Sequence, residues 1–228
     1  VILVMMFPAA GNVYAQDEPP SSPWRDEFDG PLADGWHWVN ENADKWGFTE
    51  GFLRIYTSPY GTGGENLLLR PIAEGDFSIE THLFFTPDTN FQFAGLVIWQ
   101  DESNFLQFGR AFCEYEGAPC VGNGIYFDYT GGETNFATQI ENPFNPAEAY
   151  LRLERRGDMV RALYSHEGIT WTEIGTHWIP PEFQVNGVGL TSAQDFFTEE
   201  WDVPADFDYF ELTEGWGFLP EGFHDGDQ

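Results

Sequence analysis

Acidic and basic side chains at alternating positions of strand-like runs are the residues of this chain with chemistry open to them. In Phe77-Ser-Ile-Glu-Thr-His-Leu-Phe-Phe85, Glu80 and His82 share one side while Phe77, Ile79 and Leu83 take the other. Asp128 stands likewise against Ile125 and Phe127, and Arg152 against Leu151 and Leu153. If Glu80 and Asp128 meet across one groove they form a general acid and base, with Arg152 paired to either. The alternative is a structural ion pair on a sheet face. Glu27-Phe-Asp29 and Glu200-Trp-Asp202 come nearest to paired carboxylates along a single strand, and each lacks a third acid. A Gly-x-Ser-x-Gly elbow, a His-Glu-x-x-His zinc pair and a Gly-rich phosphate loop ending in Lys are all missing. His37, His82, His166, His177 and His224 are scattered along the chain, away from ligand spacing.

The elements that must position these residues are short runs rich in aromatic and β-branched residues, separated by turn signals and free of helical periodicity. Their centre is Gln92 to Arg110, a hairpin around Asp101-Glu-Ser-Asn104. With Gln100 opposite Phe105, Trp99, Val97, Leu106 and Phe108 form a core face, and Gln92 and Gln107 belong to the floor of a groove. A slip of one residue exchanges the faces. Further strands are expected near Trp24–Phe28, Trp36–Val39, Lys45–Thr49, Phe52–Thr57, Glu65–Arg70, Phe77–Phe85 and Gly124–Tyr129. They continue near Asn135–Ile140, Tyr150–Arg156, Met159–His166, Thr170–Gly175, Val185–Ser192 and Ala205–Thr213. That number suits an all-β fold, a two-sheet antiparallel β-sandwich of jelly-roll type. If the strands share the inner sheet, Glu80, His82, Gln92, Gln107, Tyr126, Asp128 and Arg152 line one concave surface. On the outer sheet the same residues form a solvated face.

The 228 residues carry 38 acids against nine bases, a net charge of −29. Nucleic acid is a poor partner for such a chain, because phosphate binding needs clustered Lys and Arg. Residues 1–15 read as a truncated signal peptide with a small-x-small site at Val13-Tyr-Ala15, too short to insert as a membrane span, so export is expected. Residues 16–23 form a Pro-rich linker, residues 24–214 the domain, and residues 215–228 a peripheral or disordered tail. Cys113 and Cys120 bracket a short loop with Gly and Pro, which in an exported protein reads as a disulfide. No oligomeric state follows from the sequence.

Trp36-His-Trp38, Gly51-Phe-Leu-Arg54, Asn66-Leu-Leu-Leu-Arg70, Phe77-Ser-Ile-Glu-Thr81 and Pro87 follow one another along the chain. After them come Ala94-Gly-Leu-Val97, Asp101-Glu-Ser-Asn104, Tyr150-Leu-Arg-Leu-Glu154, Val188-Gly-Leu190 and Phe207-Asp-Tyr-Phe210. In this order they resemble the concanavalin A-like jelly-roll domain at the C-terminus of β-xylosidases, and the related domain family of unknown function once linked to enolase regulation. The resemblance spans about Trp24 to Thr213. It implies a twisted two-sheet sandwich associated with saccharides, whereas the bond-breaking carboxylates of β-xylosidases sit in a separate propeller domain.

The expectation is therefore a secreted, non-catalytic carbohydrate-binding domain for a polysaccharide or oligosaccharide. Ring faces need aromatic platforms and hydroxyls need planar polar partners. Trp38, Tyr126 and Trp171 are the candidate platforms, with Gln92, Gln107, Asp128 and Arg152 as partners. A glycoside hydrolase or polysaccharide lyase using Glu80 and Asp128 is the alternative, and a structural or protein-interaction sandwich is the third. No cofactor is expected beyond a possible structural calcium at Asp29 and Asp208, in the first and last strands.

Overall fold

The computed structural model describes residues 22–59, 64–117, 120–131, 136–141, 147–194 and 202–215. The leader, most of the linker and the tail beyond 215 lie outside them. Sixteen strands appear in chain order. They are β1 (Trp24–Asp26), β2 (His37–Val39), β3 (Trp46–Thr49), β4 (Phe52–Tyr56), β5 (Ser58–Pro59), β6 (Leu67–Arg70), β7 (Phe77–Phe85) and β8 (Gln92–Asp101). There follow β9 (Asn104–Cys113), β10 (Gly122–Gly131), β11 (Phe136–Glu141), β12 (Glu148–Arg156), β13 (Met159–Ser165), β14 (Thr172–Trp178), β15 (Gly187–Gln194) and β16 (Pro204–Glu214). One 3₁₀ turn, Ala43–Lys45, is the only helical element among the described residues. No described helix is long and apolar enough to cross a membrane.

The strands form two sheets. The first runs β14-β13-β12-β7-β16-β4-β3 with β1 added on β16, and the second runs β11-β10-β9-β8-β15-β6-β2 with β5 added on β15. All pairings are antiparallel except the short β5–β15 contact. Alternation decides what lies between the sheets: Ile79, Leu83, Leu151, Leu153, Phe207 and Phe210 of the first meet Leu96, Ile98, Phe108, Phe127 and Leu190 of the second. The expected sandwich is the observed fold.

Each lateral edge of the sandwich is closed by a contact between the sheets. At one edge Trp38 of β2 lies against Trp46 of β3, ring centroids 4.6 Å apart. At the other, His177 Nε2 of β14 and Thr138 Oγ1 of β11 are 2.7 Å apart, and the imidazole rests on Phe127.

The central hairpin forms, with its register shifted from the expected one. Trp99 pairs with Phe105, Leu96 with Phe108 and Val97 with Gln107. The cause is the turn. Asp101 accepts hydrogen bonds from Ser103 N and Asn104 Nδ2, both at 2.8 Å, so the loop tightens to Glu102-Ser103. Gln100 bulges out, its carbonyl accepting from Asn186 Nδ2 at 2.7 Å and its amide oxygen from Gln184 N at 2.9 Å. Ala94, Leu96, Ile98, Leu106 and Phe108 consequently face the core, while Val97, Trp99 and Gln107 face outward.

Candidate functional site

The outward face of the second sheet reads strand by strand from the register. One row runs Asp128, Gln107, Val97, Gly189, Leu69 and His37, from β10 to β2. The next runs Tyr126, Gly109, Gly95 and Thr191. Three glycines thus occupy the middle. A Cβ on Gly95 would overlap the Phe108 carbonyl and stand 2.6 Å from Gly109 Cα; one on Gly109 would overlap the Ala94 carbonyl. One on Gly189 would overlap the Leu68 carbonyl, so no side chain fits at any of these three positions. Apolar clusters rise on either side: Leu67, Leu69, Val97 and Trp99 with Phe105, and Phe93, Ala111, Cys113 and Tyr126 with Cys120. Together they make a trough with a backbone floor.

Asp128 is its distinctive group. The carboxylate takes a hydrogen bond from Gln107, but its Oδ1 is buried and accepts none. Burial pushes its pKa up to about 6, against a smaller opposing effect of the Gln107 bond. A buried acceptor without a donor is costly, and a ligand hydroxyl is the kind of group that removes the cost.

The structure places only Gln107, Tyr126 and Asp128 of the expected site together. Tyr126 is buried in the trough wall, its hydroxyl donating to Gly122 O at 2.9 Å and accepting from Val121 N at 3.1 Å. Gln92 shares the parity of Ala94, so it points inward and is fully buried, its Oε1 taking the amides of Asp88 and Thr89 at 2.9 and 3.2 Å. Trp38 belongs to the edge seam. Glu80, Arg152 and Trp171 lie on the outward side of the first sheet, across the whole sandwich from Asp128. There Arg152 Nε and Nη2 hold Glu80 Oε2 at 2.8 and 2.6 Å, and Tyr209 OH donates to Glu80 Oε1 at 2.5 Å. Arg152 also covers the Trp171 ring, its guanidinium carbon 3.8 Å from the centroid. Glu80 and Asp128 therefore form no dyad, because β7 and β10 belong to different sheets.

Asp208 sits at a bulge in β16 and faces His82 Nδ1 at 3.0 Å, while Asp29 lies beside Gly51. Among the described residues no three His, Cys, Asp or Glu side chains gather as a metal site. Sequence reasoning missed Asp26, a nearly buried carboxylate that takes Phe28 N at 3.1 Å, Ala33 N at 3.0 Å and Trp36 Nε1 at 2.9 Å. It also passed over Gly95, Gly109 and Gly189, although glycine inside a strand is a signal of close approach.

Cys113 and Cys120 form the expected disulfide, in the trough wall beside Tyr126. Its loop of seven residues' separation is short. Replacing both cysteines by serine is expected to cost about 2 kcal/mol in urea unfolding, in line with the small loop closed. The shift in urea midpoint checks it.

The model of the "Beta xylosidase C-terminal Concanavalin A-like domain" matches residues 25–213. A xylan 1,3-β-xylosidase of Vibrio sp. is 26% identical over 219 residues, which are 86% of this chain and 38% of that protein. Among solved structures, the GH43 protein BlXynB of Bacillus licheniformis superposes with a TM-score of 0.71 at 20% identity, over 82% of this chain and 38% of that one. A xylan β-1,4-xylosidase of Bacillus halodurans gives 0.69 at 22% identity, over 91% and 41%. The chain thus spans well under half the length of these relatives.

Proposed function

The chain belongs to the family of β-xylosidase C-terminal concanavalin A-like domains, and from that premise we propose an exported, non-catalytic domain that binds a polysaccharide or oligosaccharide in the trough of its second sheet. The buried, donor-less Oδ1 of Asp128 beside Gln107 carries this reading. Backbone floor and apolar walls suit the face of a sugar ring, and the Asp128–Gln107 pair offers an acceptor and an amide to its hydroxyls. The separation of Glu80 from Asp128 supports binding over hydrolysis by those two residues. The disulfide supports an oxidising compartment outside the cytosol.

Affinity electrophoresis against plant, algal and bacterial polysaccharides, β-1,3- and β-1,4-xylans among them, tests the reading. Retardation by at least one is expected, reduced severalfold by Gln107→Ala, since a hydrogen bond between neutral groups contributes about 0.5–1.5 kcal/mol. Glu80→Gln is expected to retain binding. A folded protein retarded by no glycan would leave a structural or protein-interaction sandwich. Release of reducing ends, abolished by Glu80→Gln, would put a hydrolase in its place.

A further inference from the structure

All nine Lys and Arg residues of the chain fall in described segments, and none stands on the trough face. Arg25, Arg54, Arg152, Arg155, Arg156 and Arg161 belong to strands of the first sheet. Lys45 ends the 3₁₀ turn and pairs with Asp202. Arg70 reaches the Asp34 carbonyl and lies over Trp24. Arg110 is on β9 but shares the inward parity of Phe108 and is fully buried. The trough itself holds Asp128, and exposed acids stand beyond both walls: Asp101 and Glu102 in the β8–β9 turn, Glu114 and Glu116 in the disulfide loop. His37, on the far edge strand, is the one titratable base on this face among the described residues.

We propose that the trough selects uncharged glycans and turns away chains bearing uronate or sulfate groups. The inference rests on the carbohydrate-binding reading and adds a ligand class to it. An acceptor such as Asp128 is satisfied by a hydroxyl donor, whereas a ligand anion brings a second negative charge beside a carboxylate already short of solvent. No guanidinium or ammonium is within the trough to offset it. Discrimination of this kind works by repulsion of the wrong partner as much as by attraction of the right one. Being electrostatic, it weakens when added salt shortens the screening length.

The test compares neutral arabinoxylan, β-1,3-xylan and β-glucan with glucuronoxylan, alginate and polygalacturonate in affinity gels at pH 8, first at about 20 mM and then at about 500 mM salt, where the screening length falls from roughly 20 Å to a few ångströms. Retardation at low salt by neutral glycans alone is expected, with acidic ones at least tenfold weaker and the gap narrowing at high salt. Thr130→Arg adds a cation at an exposed position with the same parity as Asp128, and is expected to strengthen binding of the acidic glycans severalfold while leaving the neutral ones unchanged. Equal retardation by acidic and neutral glycans would overturn the selectivity and leave binding standing. Retardation by none would overturn both.

Discussion

Alanine at Gly95 or Gly109 is expected to cost roughly 3 kcal/mol or more, a fall of about 10 °C in Tm for a domain of this size. Each added methyl would press on main chain rather than on a side chain able to rotate away: the Phe108 carbonyl and Gly109 Cα in one case, the Ala94 carbonyl and Gly95 Cα in the other. Relief would require β8 and β9 to separate at the centre of the sheet, beside the fully buried Leu96 and Phe108. Gly47→Ala is the control, since nothing lies within 4 Å of its added Cβ. It is expected to change stability by less than about 1 kcal/mol. Urea unfolding of the three variants checks the contrast. Equal effects at Gly95 and Gly47 would mean that the floor tolerates side chains and is no designed close approach.

Asp128→Asn is expected to stabilise the protein and weaken its binding at the same time. The pKa of Asp128 is raised in the fold from 3.8 to about 6. Its contribution to stability is therefore fully present below about pH 4 and is lost as the pH rises through 6. Above that the buried charge costs on the order of 2–3 kcal/mol, which asparagine avoids while keeping an amide oxygen at the same place. Wild type and variant should unfold at the same urea concentration near pH 3.5, diverge between pH 4 and 6, and stay apart at pH 8 with the variant the more stable. Glycan affinity at pH 8 should fall tenfold or more in the variant. A variant that is destabilised at pH 8 would show that Asp128 has a structural partner. A stabilised variant that binds unchanged would move the ligand elsewhere.

The strands were legible because inward residues alternate with polar ones: Phe77, Ile79 and Leu83 against Glu80 and His82, or Leu151 and Leu153 against Arg152. Which sheet each strand joins was not legible, because alternation is local and sheet membership depends on pairings far apart in the chain. That is why Glu80 and Arg152 were grouped with Asp128, when β7 and β12 lie in one sheet and β10 in the other. The hairpin register turned on one side chain. Asp101 folds back onto Ser103 and Asn104, tightening the turn and pushing Gln100 out, and every residue before it changes side. Gln92 was misplaced for the same reason, while Gln107, on the far side of the turn, kept the outward position expected of it.

The two edge seams differ in how they respond to acid. Trp38 and Trp46 meet through ring faces that carry no titratable group. His177 is held neutral by burial, its pKa lowered from the ordinary histidine value, so its contribution is present above about pH 6.5 and is lost as the pH falls through its lowered pKa. Acid is thus expected to weaken the two edges unequally, like a book opened from its fore-edge: the β11–β14 contact loses its neutral imidazole, while the ring contact between β2 and β3 keeps its partners. The β10–β11 side of the trough, where Asp128 stands, lies next to that acid-sensitive edge.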